Sequence, residues 1–185
     1  MDDHQPDGGR SDWPVTPAGL VLTLDEALAW RMAAARQGQR IVLTNGCFDL
    51  LHIGHVRCLV AGRALGDCLL VGVNSDLSVT ELKGTGRPLV AERERAALLV
   101  ALRVVDAVTI FHEPTAVQLV EALRPDIYFK GADYAGSGSD RVDEGRLPEA
   151  AAVRRGGGVV HLVPTVPGVS TSALIARMAA AAGRQ

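Results

Sequence analysis

Lysine is almost missing from this chain: of its 19 basic residues 17 are arginine, and the only two lysines, Lys83 and Lys130, are each followed by glycine. Aromatic residues make up 4%, so an interior has to be built from Ala, Val and Leu, the filling of sheet-and-helix proteins rather than of sandwiches. The three cysteines, Cys47, Cys58 and Cys68, form neither an even disulfide set nor a metal-ligand spacing. That excludes a disulfide framework and a zinc site, and makes the cytoplasm the expected location. A formal net charge of -2 leaves no basic footprint for duplex nucleic acid or an anionic membrane surface, so any bound polyanion must be small and locally held. No apolar run approaches the roughly 18 residues of a membrane span. The start, Met1-Asp2-Asp3-His4, lacks the basic-then-apolar order of an export signal.

What is present is a hydrophobic fraction of 48% in 185 residues, enough for one domain with a full core. The two lysines have two readings. A GC-rich genome favours arginine codons and leaves a few lysines by chance; alternatively these positions need a compact ammonium where a planar guanidinium does not substitute.

Residues 1–19 carry acids, glycine and proline without apolar periodicity and are expected to be a flexible tail, leaving 20–185 as a single domain. Thr23-Leu24-Asp25-Glu26 has the spacing of a capping box and predicts a helix to about residue 37. Short apolar runs at 41–44, 68–73, 107–111, 127–129 and 159–163 predict five buried strands. Helical stretches are expected at 54–65, 91–103, 115–123, 147–155 and 171–181. The alternation implies an α/β, Rossmann-like three-layer fold with a five-stranded parallel sheet, which binds ligands at the carboxyl ends of its strands. Residues 131–146, rich in Gly, Ser and Asp, form a long loop leaving one of those ends.

The chemistry concentrates in Thr44-Asn45-Gly46-Cys47-Phe48-Asp49-Leu50-Leu51-His52-Ile53-Gly54-His55, running off the first of these strands into a helix. Its glycines fit neither a dinucleotide fingerprint nor a P-loop. His52 and His55, three apart, face the same way on the first helical turn, where backbone N–H groups and the helix dipole favour anions. Gly54 removes a side chain where a flat base can lie. In the helix from Ala91, Leu98, Leu99 and Leu102 define a buried stripe that also carries Arg95, which then needs a partner: a local carboxylate or a bound phosphate. Lys83-Gly84-Thr85-Gly86-Arg87-Pro88 is a solvated turn or a mobile clamp on phosphate. Ser170-Thr171-Ser172 opens the last helix, where capping accounts for one hydroxyl. Asp49 suits a turn-stabilising role or indirect support of the site. Lys130 pairs with Asp133 or serves the site. His112 and His161 have no such setting.

The stretch 44–55 resembles the His-x-Gly-His signature of the nucleotidyltransferase superfamily, in its cytidylyltransferase-like branch. Val73-Asn74-Ser75-Asp76-Leu77-Ser78-Val79, Leu82-Lys83-Gly84, Arg87-Pro88, Glu94-Arg95, Val105-Asp106, Lys130-Gly131-Ala132-Asp133-Tyr134 and Gly168-Val169-Ser170-Thr171-Ser172 extend the likeness to the D-glycero-β-D-manno-heptose 1-phosphate adenylyltransferases. In many bacteria that activity is fused to a sugar kinase. With no kinase half in the sequence, a stand-alone transferase is expected. The resemblance implies transfer of AMP from ATP to the heptose phosphate with release of pyrophosphate. Mg²⁺ would travel on the ATP without dedicated protein ligands, and a homo-oligomer is an open expectation.

By the same resemblance His52, His55, Lys83 and Arg95 are the expected catalytic groups. Thr44, Asn45, Gly46, Cys47, Phe48, Gly54, Lys130, Gly131, Asp133, Ser170, Thr171 and Ser172 are expected around the nucleotide. Asp49, Asn74, Ser75, Asp76, Arg87 and Tyr134 are expected around the acceptor. A glycerol-3-phosphate-type cytidylyltransferase using CTP is the rival within the superfamily. That branch carries an Arg shortly before its Gly-x-Ser-Thr-Thr, whereas this chain has Pro164-Thr165-Val166-Pro167 before Gly168. Outside enzymes, a non-catalytic nucleotide-binding module on the same fold is the alternative.

Overall fold

The computed structural model describes residues 19–135, 142–143 and 145–183; the expected tail, as far as residue 18, lies outside the described residues. Strands and helices alternate: β1 Leu20–Leu22, α1 Leu24–Arg36, β2 Ile41–Gly46, α2 Ile53–Arg63, β3 Cys68–Asn74, α3 Asp76–Lys83, α4 Glu92–Val100, β4 Ala107–Phe111, α5 Val117–Leu123, β5 Ile127–Gly131, a single 3₁₀ turn Ala132–Tyr134, α6 Glu149–Arg155, β6 Val159–Val163 and α7 Thr171–Ala182. The helix starts follow local chemistry. At α1 the Glu26 N–H donates to Thr23 Oγ1 at 3.3 Å and the Thr23 N–H to the Glu26 carboxylate at 2.8 Å, the expected capping box.

All strands run parallel in one sheet of order β1-β4-β3-β2-β5-β6. Side chains alternate across it. Leu43, Leu70 and Tyr128 pack against α1, α5 and α6 through Ala27, Leu119, Leu123 and Val153. Val42, Leu69, Val71 and Phe129 pack on the other face against Leu59 of α2 and Ala96 and Leu99 of α4. The result is the expected three-layer architecture, each buried leucine stabilising it by about 1.5–3 kcal/mol. Among the described residues no helix is long and apolar enough to cross a membrane.

Three expectations are corrected. The sheet has six strands, not five, because β1 adds a short edge strand beside β4. Its Leu20 and Val21 are exposed, so it has no buried apolar run to reveal it. Residues 76–83 form a helix, α3, where only a strand end and a loop were expected; Ser75 caps it by accepting the Ser78 N–H at 3.2 Å. On α4, Leu98 is 47% exposed and does not belong to the buried stripe, which Ala96, Leu99 and Val100 form around Arg95.

The strand order reverses between β2 and β5: β3 and β4 lie to one side of β2, β5 and β6 to the other. This seam is joined by only two register pairs, Val42 with Ile127 and Leu43 with Tyr128, against six between β2 and β3. Beyond them side chains span the gap. Thr44 Oγ1 donates to the Phe129 carbonyl at 2.9 Å, Lys130 Nζ donates to the Asn45 carbonyl at 2.7 Å, and the Tyr128 hydroxyl donates to Asn45 Oδ1. A crevice at such a reversal is where open α/β sheets hold ligands.

Candidate active site

A cavity of about 850 Å³ opens at the carboxyl ends of β2 and β5. Its floor is the end of β2 and the turn that follows, residues 44–49. Phe48 there has φ 49°, a left-handed conformation that costs a non-glycine residue about 1–3 kcal/mol and persists only where neighbours enforce it. Those neighbours are visible. The Phe48 ring meets the His55 ring edge-on at 5.2 Å, and a Cβ on Gly46 would come within 3.1 Å of the Phe48 ring.

His52 caps α2 by accepting the His55 N–H on Nδ1 at 3.3 Å. A neutral imidazole that accepts on Nδ1 carries its proton on Nε2, which is then a free donor. The two rings stack with centroids 3.8 Å apart and planes 15° from parallel. Gly54 makes this possible, since a Cβ there would lie 2.9 Å from the His52 ring. Burial lowers the His52 pKa; burial first, and then the neighbouring His52, push His55 down to about 4. Both are therefore uncharged imidazoles near neutral pH. His55 Nδ1 is buried with no hydrogen-bond partner, the kind of unmet polar atom that functional sites retain.

The cations around the cavity come from both halves of the sheet. Lys83, the last residue of α3, and Arg87 line one wall. Arg87 Nε donates to Asp49 at 2.5 Å, and the same carboxylate accepts the Leu89 and Val90 N–H groups at 2.7 and 3.0 Å. Burial alone would raise the Asp49 pKa, but the Val90 and Leu89 amides with Arg87 outweigh it and hold the group below its ordinary range. Asp49 thus ties residues 87–90 to the floor.

Lys130 and Arg146 line the opposite wall. Lys130 donates to the Asn45 carbonyl and lies 5.8 Å from the Tyr128 ring centroid and 5.4 Å from that of Tyr134. Arg146 lies 5.6 Å from the Tyr134 ring and donates to the Asp133 carbonyl at 2.8 Å. Ser170, Thr171 and Ser172 reach the cavity from the start of α7, where Ser170 accepts the Ala173 N–H at 3.1 Å.

The structure therefore gathers into one cavity His52, His55, Lys83, all twelve residues expected around the nucleotide, and Asp49, Asn74, Arg87 and Tyr134. Three expected site residues are placed elsewhere. Arg95 is 0% exposed and spends its guanidinium on the Val90 carbonyl, the Cys47 carbonyl and Asp76 at 2.9, 2.5 and 2.7 Å, so it braces the floor from beneath rather than lining the cavity. Asp76 is its partner, supplied by the unforeseen α3, and Ser75 is buried as the cap of that helix. Arg146, Glu149, Thr115 and Thr165 line the cavity without having been expected there. Arg146 had one usable signal, a basic residue in the loop that leaves the carboxyl end of β5.

The family described as cytidylyltransferase-like matches residues 43–177. The chain is similar to the bifunctional protein HldE of Koribacter versatilis, 49% identical over 162 residues covering 88% of this chain and 32% of that protein. It is also similar to the bifunctional protein HldE of Methylobacillus flagellatus, 45% identical over 170 residues covering 92% of this chain and 33% of that protein. The chain thus spans about a third of the length of these curated relatives. Among solved structures it resembles the lipopolysaccharide core biosynthesis protein from Thermoplasma volcanium, at 32% identity and a TM-score of 0.54, covering 70% of this chain and 98% of that one.

Proposed function

The chain belongs to the cytidylyltransferase-like family, and from that membership we propose that it transfers AMP from ATP to D-glycero-β-D-manno-heptose 1-phosphate, giving ADP-heptose and pyrophosphate. The observation that carries this reading is the stacked His52–His55 pair on the first turn of α2, facing a cavity with cations on both walls. The similarity to the HldE proteins favours the heptose acceptor over the glycerol phosphate branch.

The acceptor's phosphate oxygen is already ionised at neutral pH, so no general base is needed. The barrier lies in bringing two anions together and in stabilising charge on the α-phosphate and the departing pyrophosphate; positioning and fixed donors do that work. His52 offers Nε2–H, the α2 N-terminus adds backbone donors, and Lys83, with the donors of Arg87 and Arg146 that protein partners leave free, balances the phosphates. Uncharged imidazoles suit this task, because they donate to developing charge without trapping the ground-state triphosphate. Mg²⁺ is expected to enter as MgATP, carried by the triphosphate with several waters. The reaction is expected to take place in the cytoplasm, where both substrates are available.

The test is pyrophosphate release by purified protein with ATP, CTP and GTP, each crossed against heptose 1-phosphate and glycerol 3-phosphate. ATP with the heptose should exceed every other pair at least tenfold. A preference for CTP with glycerol 3-phosphate would overturn the assignment in favour of the sister branch, and binding without turnover in any pair would make the chain a nucleotide-binding module.

A further inference from the structure

The only two lysines in the sequence both line the cavity, and they occupy opposite kinds of setting. Lys83 is exposed on one wall, whereas Lys130 is 8% exposed with its ammonium on the Asn45 carbonyl at 2.7 Å. The Asn45 side chain is held as well, by the Tyr128 hydroxyl. These bonds fall just where the β2–β5 ladder has ended, so they replace missing rungs at the strand end that leads into the floor turn. Two carbonyls of the floor are tied to basic side chains, Asn45 at the end of β2 to Lys130 and Cys47 of the turn to Arg95.

We propose that Lys130 is a positioning residue of the active site, a compact ammonium that fixes the floor turn to β5 through the Asn45 carbonyl, and that arginine cannot take its place. A guanidinium is planar and longer, and the space available is bounded by the Tyr128 and Tyr134 rings, each within 6 Å of the ammonium. This accounts for a lysine surviving in a chain that otherwise uses arginine. The setting also affects its charge. Burial pushes the Lys130 pKa down to about 8, opposed in part by Glu149 of α6, Cys47 of the floor, Cys58 of α2 and Asp133 of the 3₁₀ turn. An anion bound in the cavity favours the charged form and strengthens this anchor.

The role deepens the proposed function, and its test does not depend on the substrate assignment. Protein labelled with ¹³C at lysine Cε gives two side-chain signals, one per lysine, assigned by Lys83→Arg. One is expected to titrate near pH 8 in the free protein and to move up by about one pH unit when MgATP is added. Both signals titrating in the ordinary lysine range would overturn the proposal even if the enzyme were active. In turnover, Lys130→Arg and Lys130→Met should each lower kcat at least thirtyfold with KM changed less than threefold, while melting cooperatively. An alkaline fall in kcat/KM near pH 8, which reports the free enzyme, is expected in the wild type and should vanish from the residual activity of Lys130→Arg. Wild-type kcat in Lys130→Arg would overturn the requirement for an ammonium. If no nucleotide and acceptor pair turns over in the wild type, the function falls and the two titrations still decide the anchor.

Discussion

At the scale of single residues the proposed chemistry depends on neutral imidazoles held in a stack. In the proposed mechanism, replacing His55 by alanine removes one donor from the reacting phosphates, a loss of about 2.7–4 kcal/mol by precedent for single oxyanion donors, or on the order of a hundred- to a thousandfold in turnover. Steady-state pyrophosphate assays should show it in kcat, with the melting profile cooperative; more than a third of wild-type turnover would remove His55 from the mechanism. The same residue sets a pH dependence. Its folded pKa of about 4 lies below the unfolded value of 6.5, so the folded protein binds fewer protons and gains stability fully above pH 6.5 that is lost as pH falls through 4. Thermal melts between pH 7 and 4 should therefore decline more steeply in wild type than in His55→Asn. Both histidines were legible from their spacing and their place after a strand. Arg95 was half legible. Its inward position followed from helical periodicity, but its partner Asp76 could not be found, because the eight residues of α3 are too few for an apolar period to stand out. Asp49 shows the same limit, since it accepts from residues 87, 89 and 90, some forty positions away.

At the scale of elements, the site is carried by helices docked closely on the sheet. Gly62 brings α2 against β5: a Cβ there would fall 2.1 Å from the Phe129 ring, which is itself fully buried. Gly62→Ala should gain helix propensity yet destabilise by about 1–3 kcal/mol, because the ring has nowhere to go and the helix must lift. Urea denaturation would read this as a lower midpoint at unchanged slope; an unaltered or higher midpoint would show that α2 does not rest on this contact. Since α2 carries both histidines, kcat should fall with stability. The elements that cover the core were readable because apolar runs and capping residues mark them. Those at the periphery were not: β1 is three residues long with two side chains exposed, so no inward face shows in the sequence.

At the scale of the whole molecule, the alternation of strand and helix was sufficient to give a parallel three-layer sheet, and it foretold a cavity at the carboxyl ends of the strands. It did not reveal the strand order, which is decided by long-range packing, nor that Lys130 would bridge to Asn45, 85 positions earlier in the chain. The proposed route for Mg²⁺, entering with ATP, separates metal dependence from folding. EDTA should stop turnover, because free ATP lacks its counter-ion, while leaving the melting temperature of the unliganded protein unchanged; a drop in that temperature would point to a structural metal. The sparsely laddered boundary between β2 and β5 has a mechanical meaning. The two halves of the sheet meet along two register pairs and three side-chain hydrogen bonds, so a ligand touching both halves would add its own contacts to a short list of cross-links. If the proposed substrates bridge that boundary, amide exchange along both strands should slow when they bind.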